Sequence, residues 1–331
     1  MRHLITGGSG FIGSHLAELL LKRGDEVWIL DDLSTGAIRN LDFLRSHPNL
    51  HVQVDTVFNQ PLLGELVDRT DQIFHLAAAV GVRLIVERPV HTLETNIKGT
   101  ENVLACAVKK GRKVLVTSTS EVYGKSVKVP FSETDDLVFG ASTTARWGYA
   151  CSKAVDEFLA LSYHHEKGLP AVVVRLFNMV GPRQTGRYGM VLPRFVQQAL
   201  SGEPITVYGD GQQTRSFAHV SDVVGALVRL MEDPRAVGRV FNVGSDEEVT
   251  IEDVARRVAK RVGDAVPIRK IPYKEAFAEG FEDTLRRRPD LTRLRELIGY
   301  KTTRNLDQII DELFDYYRSS TKIRHRTETV E

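Results

Sequence analysis

Tyr149 and Lys153 stand four residues apart in a stretch whose apolar spacing predicts a helix, so both side chains project from one face. An ammonium beside a phenol favours the phenolate and lowers its pKa, which makes tyrosine a usable base near neutral pH. The spacing alone also fits an exposed surface pair. The strand that precedes it ends in Thr117-Ser118-Thr119-Ser120, and that position moves the reading toward a reactive centre.

A second cluster opens the chain. Thr6-Gly7-Gly8-Ser9-Gly10-Phe11-Ile12-Gly13 follows a strand pattern and leads into a helix pattern. Glycines at 7, 10 and 13 answer three needs: a tight turn, close approach of backbone to a pyrophosphate, and close contact between helix and strand. The helix N-terminus then offers unpaired N–H groups to the phosphates. Asp31 closes the second strand, where a carboxylate accepts hydrogen bonds from both adenine-ribose hydroxyls. Asp32 reads as a solvated turn residue, and no arginine directly follows to neutralise a ribose phosphate, which favours NAD over NADP. Asp55, after the third strand, is placed either to bind the adenine amino group or to cap its own loop.

These residues need a frame. Short β-branched runs at 2–6, 26–31, 51–54, 72–76, 113–118 and 171–176 alternate with helical periodicity at 10–23, 89–109 and 148–167. The alternation predicts an α/β fold, a Rossmann-type doubly wound parallel sheet over 1–180, with part of 214–245 returning to it. Past the Val180-Gly181-Pro182 break, strands at 204–208 and 240–243 and a helix at 251–262 suggest a smaller mixed α/β substrate lobe over 181–318. A periodic helix at 306–317 precedes a polar tail, 319–331, expected to fray.

The 331 residues are 42% hydrophobic and 26% charged, a globular composition with no long apolar run, and the N-terminus runs directly into a strand rather than a secretion signal. A cytoplasmic protein without membrane attachment is expected. A net charge of +1 argues against nucleic acid, which requires a concentrated basic face. The two cysteines, Cys106 and Cys151, lie in separate helical segments and read as reduced packing residues, so neither disulfide nor metal is expected.

Across nearly its whole length the chain resembles the extended short-chain dehydrogenase/reductases that modify nucleotide sugars. The resemblance is carried by residues 6–13, Phe74-His75-Leu76-Ala77-Ala78, Ser118-Thr119-Ser120-Glu121-Val122-Tyr123-Gly124, Tyr149-Ala150-Cys151-Ser152-Lys153 and Arg175-Leu176-Phe177-Asn178-Met179-Val180-Gly181-Pro182-Arg183. Dehydratases of that family usually carry Asp-Glu where this chain has Ser120-Glu121, and many 4-epimerases carry a small or hydroxyl residue where Glu121 stands. Closest in pattern are the UDP-glucuronate decarboxylases, which the chain also resembles in Arg146-Trp147-Gly148-Tyr149 and in Gly280-Phe281-Glu282-Asp283 leading to Arg287-Arg288-Pro289-Asp290.

The resemblance implies that Thr119 hydrogen-bonds the hydroxyl being oxidised, that Tyr149 is the base and that Lys153 also holds the nicotinamide ribose. It implies NAD contacts from Gly7, Gly10, Phe11, Ile12, Gly13, Asp31, Asp55, Leu76, Ala77 and Ala78. A UDP-sugar would meet Ser120, Asn178, Val191, Tyr208, Arg215 and Arg287, with Glu121 and Arg287 acting on the sugar. Guanidinium forks suit carboxylate and diphosphate alike, and spacing alone also fits a solvated basic cluster at 286–288. Tyr208 reads equally as a core aromatic, and His75 as structural rather than catalytic. The resemblance further implies a homodimer formed by pairing the helices at 89–109 and 148–167. A 4-epimerase remains the main alternative, and a non-catalytic NAD-binding protein the more distant one.

Overall fold

Strands buried on both faces lose the inside-outside alternation and become continuous aliphatic runs. The run in Ala171–Leu176 is buried at all 6 positions and forms an inner strand of a sheet. The computed structural model describes residues 1–184, 190–263, 266–276 and 284–327. In chain order its strands begin with β1 (Arg2–Thr6), β2 (Glu26–Asp31), β3 (Leu50–Val54), β4 (Gln72–His75), β5 (Lys113–Thr119) and β6 (Ala171–Leu176). Four short strands follow, β7 (Met179–Val180), β8 (Ile205–Tyr208), β9 (Thr214–Ser216) and β10 (Ala218–His219), and then β11 (Arg239–Val243) returns to the sheet beside β6.

The result is a seven-stranded parallel sheet in the order β11-β6-β5-β4-β1-β2-β3. The chain winds outward from β1 in one direction and then crosses back to β4. Between β1 and β4 the direction of winding reverses, and the crevice at the strands' carboxyl ends is where such sheets bind ligands. The predicted α/β fold and its doubly wound parallel sheet are therefore present.

Five helices follow the early strands: α1 (Phe11–Lys22), α2 (Gln60–Arg69), α3 (Val82–Glu87), α4 (Pro89–Lys109) and α5 (Arg146–Lys167). After them come α6 (Val191–Leu200) and α7 (Val220–Glu232). Leu16, Ala17 and Leu20 of α1 share one core with Val223, Leu227 and Leu230 of α7, on one side of the sheet. Leu63 and Val67 of α2, Val103 and Leu104 of α4 and Ala160 of α5 fill the other.

The smaller lobe has its own core, where α6 packs against α8 (Ile251–Lys260) and α11 (Leu306–Thr327) through Phe195, Val196, Val254, Val258, Ile310 and Leu313. Around it lie β12 (Glu248–Thr250), β13 (Ile268–Ile271), β14 (Arg286–Arg287), α9 (Tyr273–Ala276) and α10 (Thr292–Ile298). Strand β9 is the middle of three, antiparallel to β12 and parallel to β14.

The last helix is longer than its apolar period, which ends near Tyr317: it runs to Thr327 through a stretch without glycine or proline. Cys151 is exposed on α5 rather than buried in packing, while Cys106 is half-buried against the core. Elements absent from the sequence reading include α2, although Asn59 caps it by accepting from Leu62 N and Pro61 occupies its first turn. No described helix is long and apolar enough to cross a membrane.

Candidate active site

A cavity of about 1210 Å³ runs along the carboxyl ends of β1, β2, β4, β5 and β6 and into the smaller lobe. The glycine turn, Tyr149, Tyr208 and Arg287 all line it. One end is a cradle. Gly7 has φ +74°, and a Cβ there would meet Ala77 N at 2.8 Å. A Cβ on Gly13 would meet the Gly7 carbonyl oxygen at 2.3 Å. Gly10, Phe11 and Ile12 line the wall at the start of α1, where first-turn N–H groups lack intrahelical acceptors.

Asp31 accepts from Ser9 N and Leu33 N, each at 2.8 Å, and burial pushes its carboxyl up. Those bonds fill two of about four lone-pair sites and leave acceptor capacity on the cavity wall. Asp32 accepts from Ser34 N at 2.9 Å, the turn role expected of it. Asp55 accepts from Thr56 N at 2.7 Å and from Asn59 Nδ2 at 2.8 Å, so it caps its loop while also lining the cavity. Leu76, Ala77 and Ala78 complete the wall, and the whole cradle fits a dinucleotide.

At the middle of the cavity Thr119 ends β5, and its Oγ1 accepts from Glu121 N at 3.2 Å. Tyr149 is buried in the first turns of α5, with its phenol hydrogen-bonded to Thr119. Lys153 is also buried, but it donates its ammonium to Asp156 Oδ2 at 2.6 Å. Burial first, and then the Glu121 carboxylate, push the Tyr149 phenol up, while Thr119 and Arg287 pull it down. The expected lowering by Lys153 is therefore not what dominates this structure, because a carboxylate already partners that ammonium.

Glu121 connects this centre to the small lobe. Its Oε1 accepts from Arg287 Nη1 at 3.3 Å and lies 4.0 Å from Arg146 Nη2. Arg287 also donates to Asn178 Oδ1 at 3.0 Å, and its buried Nε has no partner among the described residues. Its side chain is only 11% exposed, which removes the solvated-cluster reading. The exposed arginine is Arg286, paired with Glu248. Parallel pairing of β14 with β9 sets Arg287 abreast of Arg215, which donates to the carbonyls of Thr214 and Thr284.

Asn178 gives one of its two amide N–H groups to the Ser216 carbonyl at 3.2 Å. Tyr208 lines the cavity with the Arg194 guanidinium 4.1 Å from its ring centroid. Ser120 and Val191 line the same space. The Gly280-Phe281-Glu282-Asp283 motif lies outside the described residues.

His75 ties the strand ends together beneath the site. Its Nδ1 meets Thr6 Oγ1 at 2.7 Å and its Nε2 meets Thr100 Oγ1 at 3.1 Å, the structural role expected of it. Three residues escaped the sequence reading as site residues. Arg146 stands one turn before Tyr149, a spacing that signals a shared face. Asp156 stands one turn after Lys153, and the same signal applies. Arg194 carries no comparable signal.

A doubly wound sheet, a glycine cradle ending in an acidic strand and a Thr-Tyr-Lys centre at the strand ends define an extended short-chain dehydrogenase/reductase. The chain belongs to the family described as GDP-mannose 4,6 dehydratase, whose pattern it matches over residues 4–313. It is 41% identical to a UDP-N-acetyl-alpha-D-glucosaminuronate decarboxylase of Bacillus cytotoxicus over 96% of this chain and 98% of that one. It is 39% identical to UDP-glucuronic acid decarboxylase 2 of Arabidopsis thaliana over 93% of this chain and 66% of that longer protein. Among solved structures it is similar to the UDP-glucuronic acid 4-epimerase of Bacillus cereus in complex with UDP-glucuronic acid and NAD, with TM-score 0.87 and 27% identity, covering 96% and 99% of the two chains.

Proposed function

We propose that the protein is an NAD-dependent decarboxylase of a UDP-activated uronic acid, converting UDP-glucuronate to UDP-xylose or to the corresponding 4-keto pentose. The observation that carries this reading is the approach of two arginines, Arg146 and Arg287, to one carboxylate beside Tyr149 and Thr119. A site made for a neutral sugar has no need of two guanidinium groups there.

Tyr149 takes the proton from the sugar O4, with Thr119 holding that hydroxyl. A bound NAD⁺ would supply the hydride acceptor for carbon 4 and the hydride donor for its later return. The carbon-4 ketone lies β to the uronic carboxylate, so the bond to that carboxylate breaks, carbon dioxide leaves and its electron pair enters an enolate. Hydrogen bonds from Thr119 and Tyr149 stabilise the enolate oxygen. Arg287 orients the carboxylate, and Glu121 with Arg287 manages proton return to carbon 5. Arg215 pairs with the diphosphate, and Tyr208, backed by Arg194, packs against the uracil. Gly7 to Gly13, Asp31 and the 76–78 wall hold the dinucleotide, with Lys153 at the nicotinamide ribose.

The Bacillus relative favours a second substrate within the same chemistry, UDP-N-acetylglucosaminuronate. The 4-epimerase alternative has weaker support, 27% identity against 39–41% for the decarboxylases over similar lengths of this chain. Arg287→Ala tests the carboxylate role. It should cost about 1.5–3 kcal/mol in kcat/KM with UDP-glucuronate, the worth of one charge-assisted hydrogen bond, and less in hydride transfer from UDP-glucose. Equal losses with both substrates would assign Arg287 to the diphosphate alone.

A further inference from the structure

Asp156 takes no part in the chemistry above, yet its carboxylate lies within the catalytic helix, 0% exposed. A buried carboxylate is costly unless a cation and hydrogen bonds compensate it. The compensating cation is the ammonium of Lys153, one helical turn earlier at 2.6 Å. Burial, the larger effect, still pushes the Asp156 carboxyl up; the Thr100 hydroxyl on α4 favours its charged form less strongly, and Oδ1 of Asp156 has no hydrogen-bond partner among the described residues. Thr100 is in turn bonded to His75, and His75 to Thr6 at the head of the glycine turn. A buried line of side chains thus runs from the cofactor cradle to the catalytic lysine.

The other charged groups around this line are already matched. Glu157, next to Asp156 on α5, is gripped by Arg175 of β6, with Nη2 to Oε2 at 2.7 Å. His75 on β4 is held neutral by burial, assisted by the Lys153 charge. Above, Glu121 faces Arg287 of β14 and Arg146 of α5. Lys153 and Asp156 therefore pair with each other on the helix that carries the phenol, Lys153 one turn after Tyr149 and Asp156 one turn later.

We propose that Asp156 is a positioning residue that holds Lys153 in place and sets how much of its positive charge reaches the Tyr149 phenol. The proposal rests on the reading of Tyr149 as the base. Asp156 itself raises the phenol, so its negative charge acts against the activation that a bare lysine would give.

Asp156→Asn and Asp156→Ser remove the charge with and without the side-chain bulk, and Asp156→Glu restores it. Either neutral variant should move the acidic limb of the kcat/KM–pH profile down by about one unit, the lower end of what a neighbouring charge does. The ultraviolet phenolate absorbance of the purified protein should show one tyrosine titrating correspondingly lower, a signal that Tyr149→Phe abolishes, and Asp156→Glu should return both readouts toward wild type. An unmoved limb with only a reduced kcat would make Asp156 purely structural and overturn the proposal. An upward move would overturn it too, by showing that Asp156 serves to keep Lys153 charged. Failure of the base reading is a separate result: Tyr149→Phe would retain turnover and the same acidic limb.

Discussion

His75 shows how a single side chain reports on the fold. It sits at the end of β4 between two threonine hydroxyls, and burial, helped by the nearby Lys153 ammonium, lowers its pKa to about 3. The ordinary value is 6.5, so as pH falls below that value the unfolded chain takes up a proton that the fold refuses. Folding stability should therefore decline from pH 6.5 toward pH 3, and the decline should be shallower in His75→Gln. Urea midpoints of both proteins at neutral and acidic pH measure this; parallel declines would show that other groups carry the acid sensitivity. At this scale the sequence was most legible where backbone chemistry restricts the residue type. Gly7 needs a positive φ beside Ala77, and Asp31 must end a strand. It was least legible where partners come from remote segments. Arg287 reaches Glu121 from 166 residues away, a contact no local spacing announces, whereas Asp156, one turn after Lys153 on the same helix, carried a spacing signal.

The same contrast holds for whole elements. Strands β1 to β6 were legible because each is an apolar run bounded by turn residues, and the expected limits differ from the observed ones by a single residue or none. Strands β9, β12 and β14 were not, since they are two or three residues long and exist through their pairing with one another. That pairing brings Arg287 beside Arg215 and into reach of Glu121, contacts that no local pattern encodes. Helix α5 carries a further consequence. Its inner face holds Tyr149 and Lys153, while Phe158, 67% exposed, and Cys151, seven residues before it, lie on its outer face. On α4, which packs against α5, Val90 is 68% exposed. We propose that this apolar face pairs with its copy in a second chain as a four-helix bundle. Phe158→Glu should then convert a dimer to a monomer in sedimentation at micromolar concentration, whereas a monomeric wild-type protein would contradict the assignment.

At the scale of the whole molecule, one cavity joins two cores. The sheet supplies the cradle, α5 supplies Tyr149 and Lys153, and the smaller lobe supplies Arg215, Tyr208 and Arg287, so the proposed substrate would span both. Burial inside this cavity raises the phenol of Tyr149, and Arg287 and Arg146 face Glu121 there; under the proposed reading these guanidinium groups distinguish a carboxylate-bearing sugar from a neutral one. The central claim is that oxidation at carbon 4 leads to loss of the uronic carboxylate. The most direct measurement is incubation of the purified protein and NAD⁺ with UDP-glucuronate carrying a labelled carboxyl carbon, followed by label counting in released carbon dioxide and proton NMR of the nucleotide product. Decarboxylation predicts label in the gas in step with a UDP-pentose or its 4-keto form, and retention of all label in a UDP-uronate inverted at carbon 4 would contradict it.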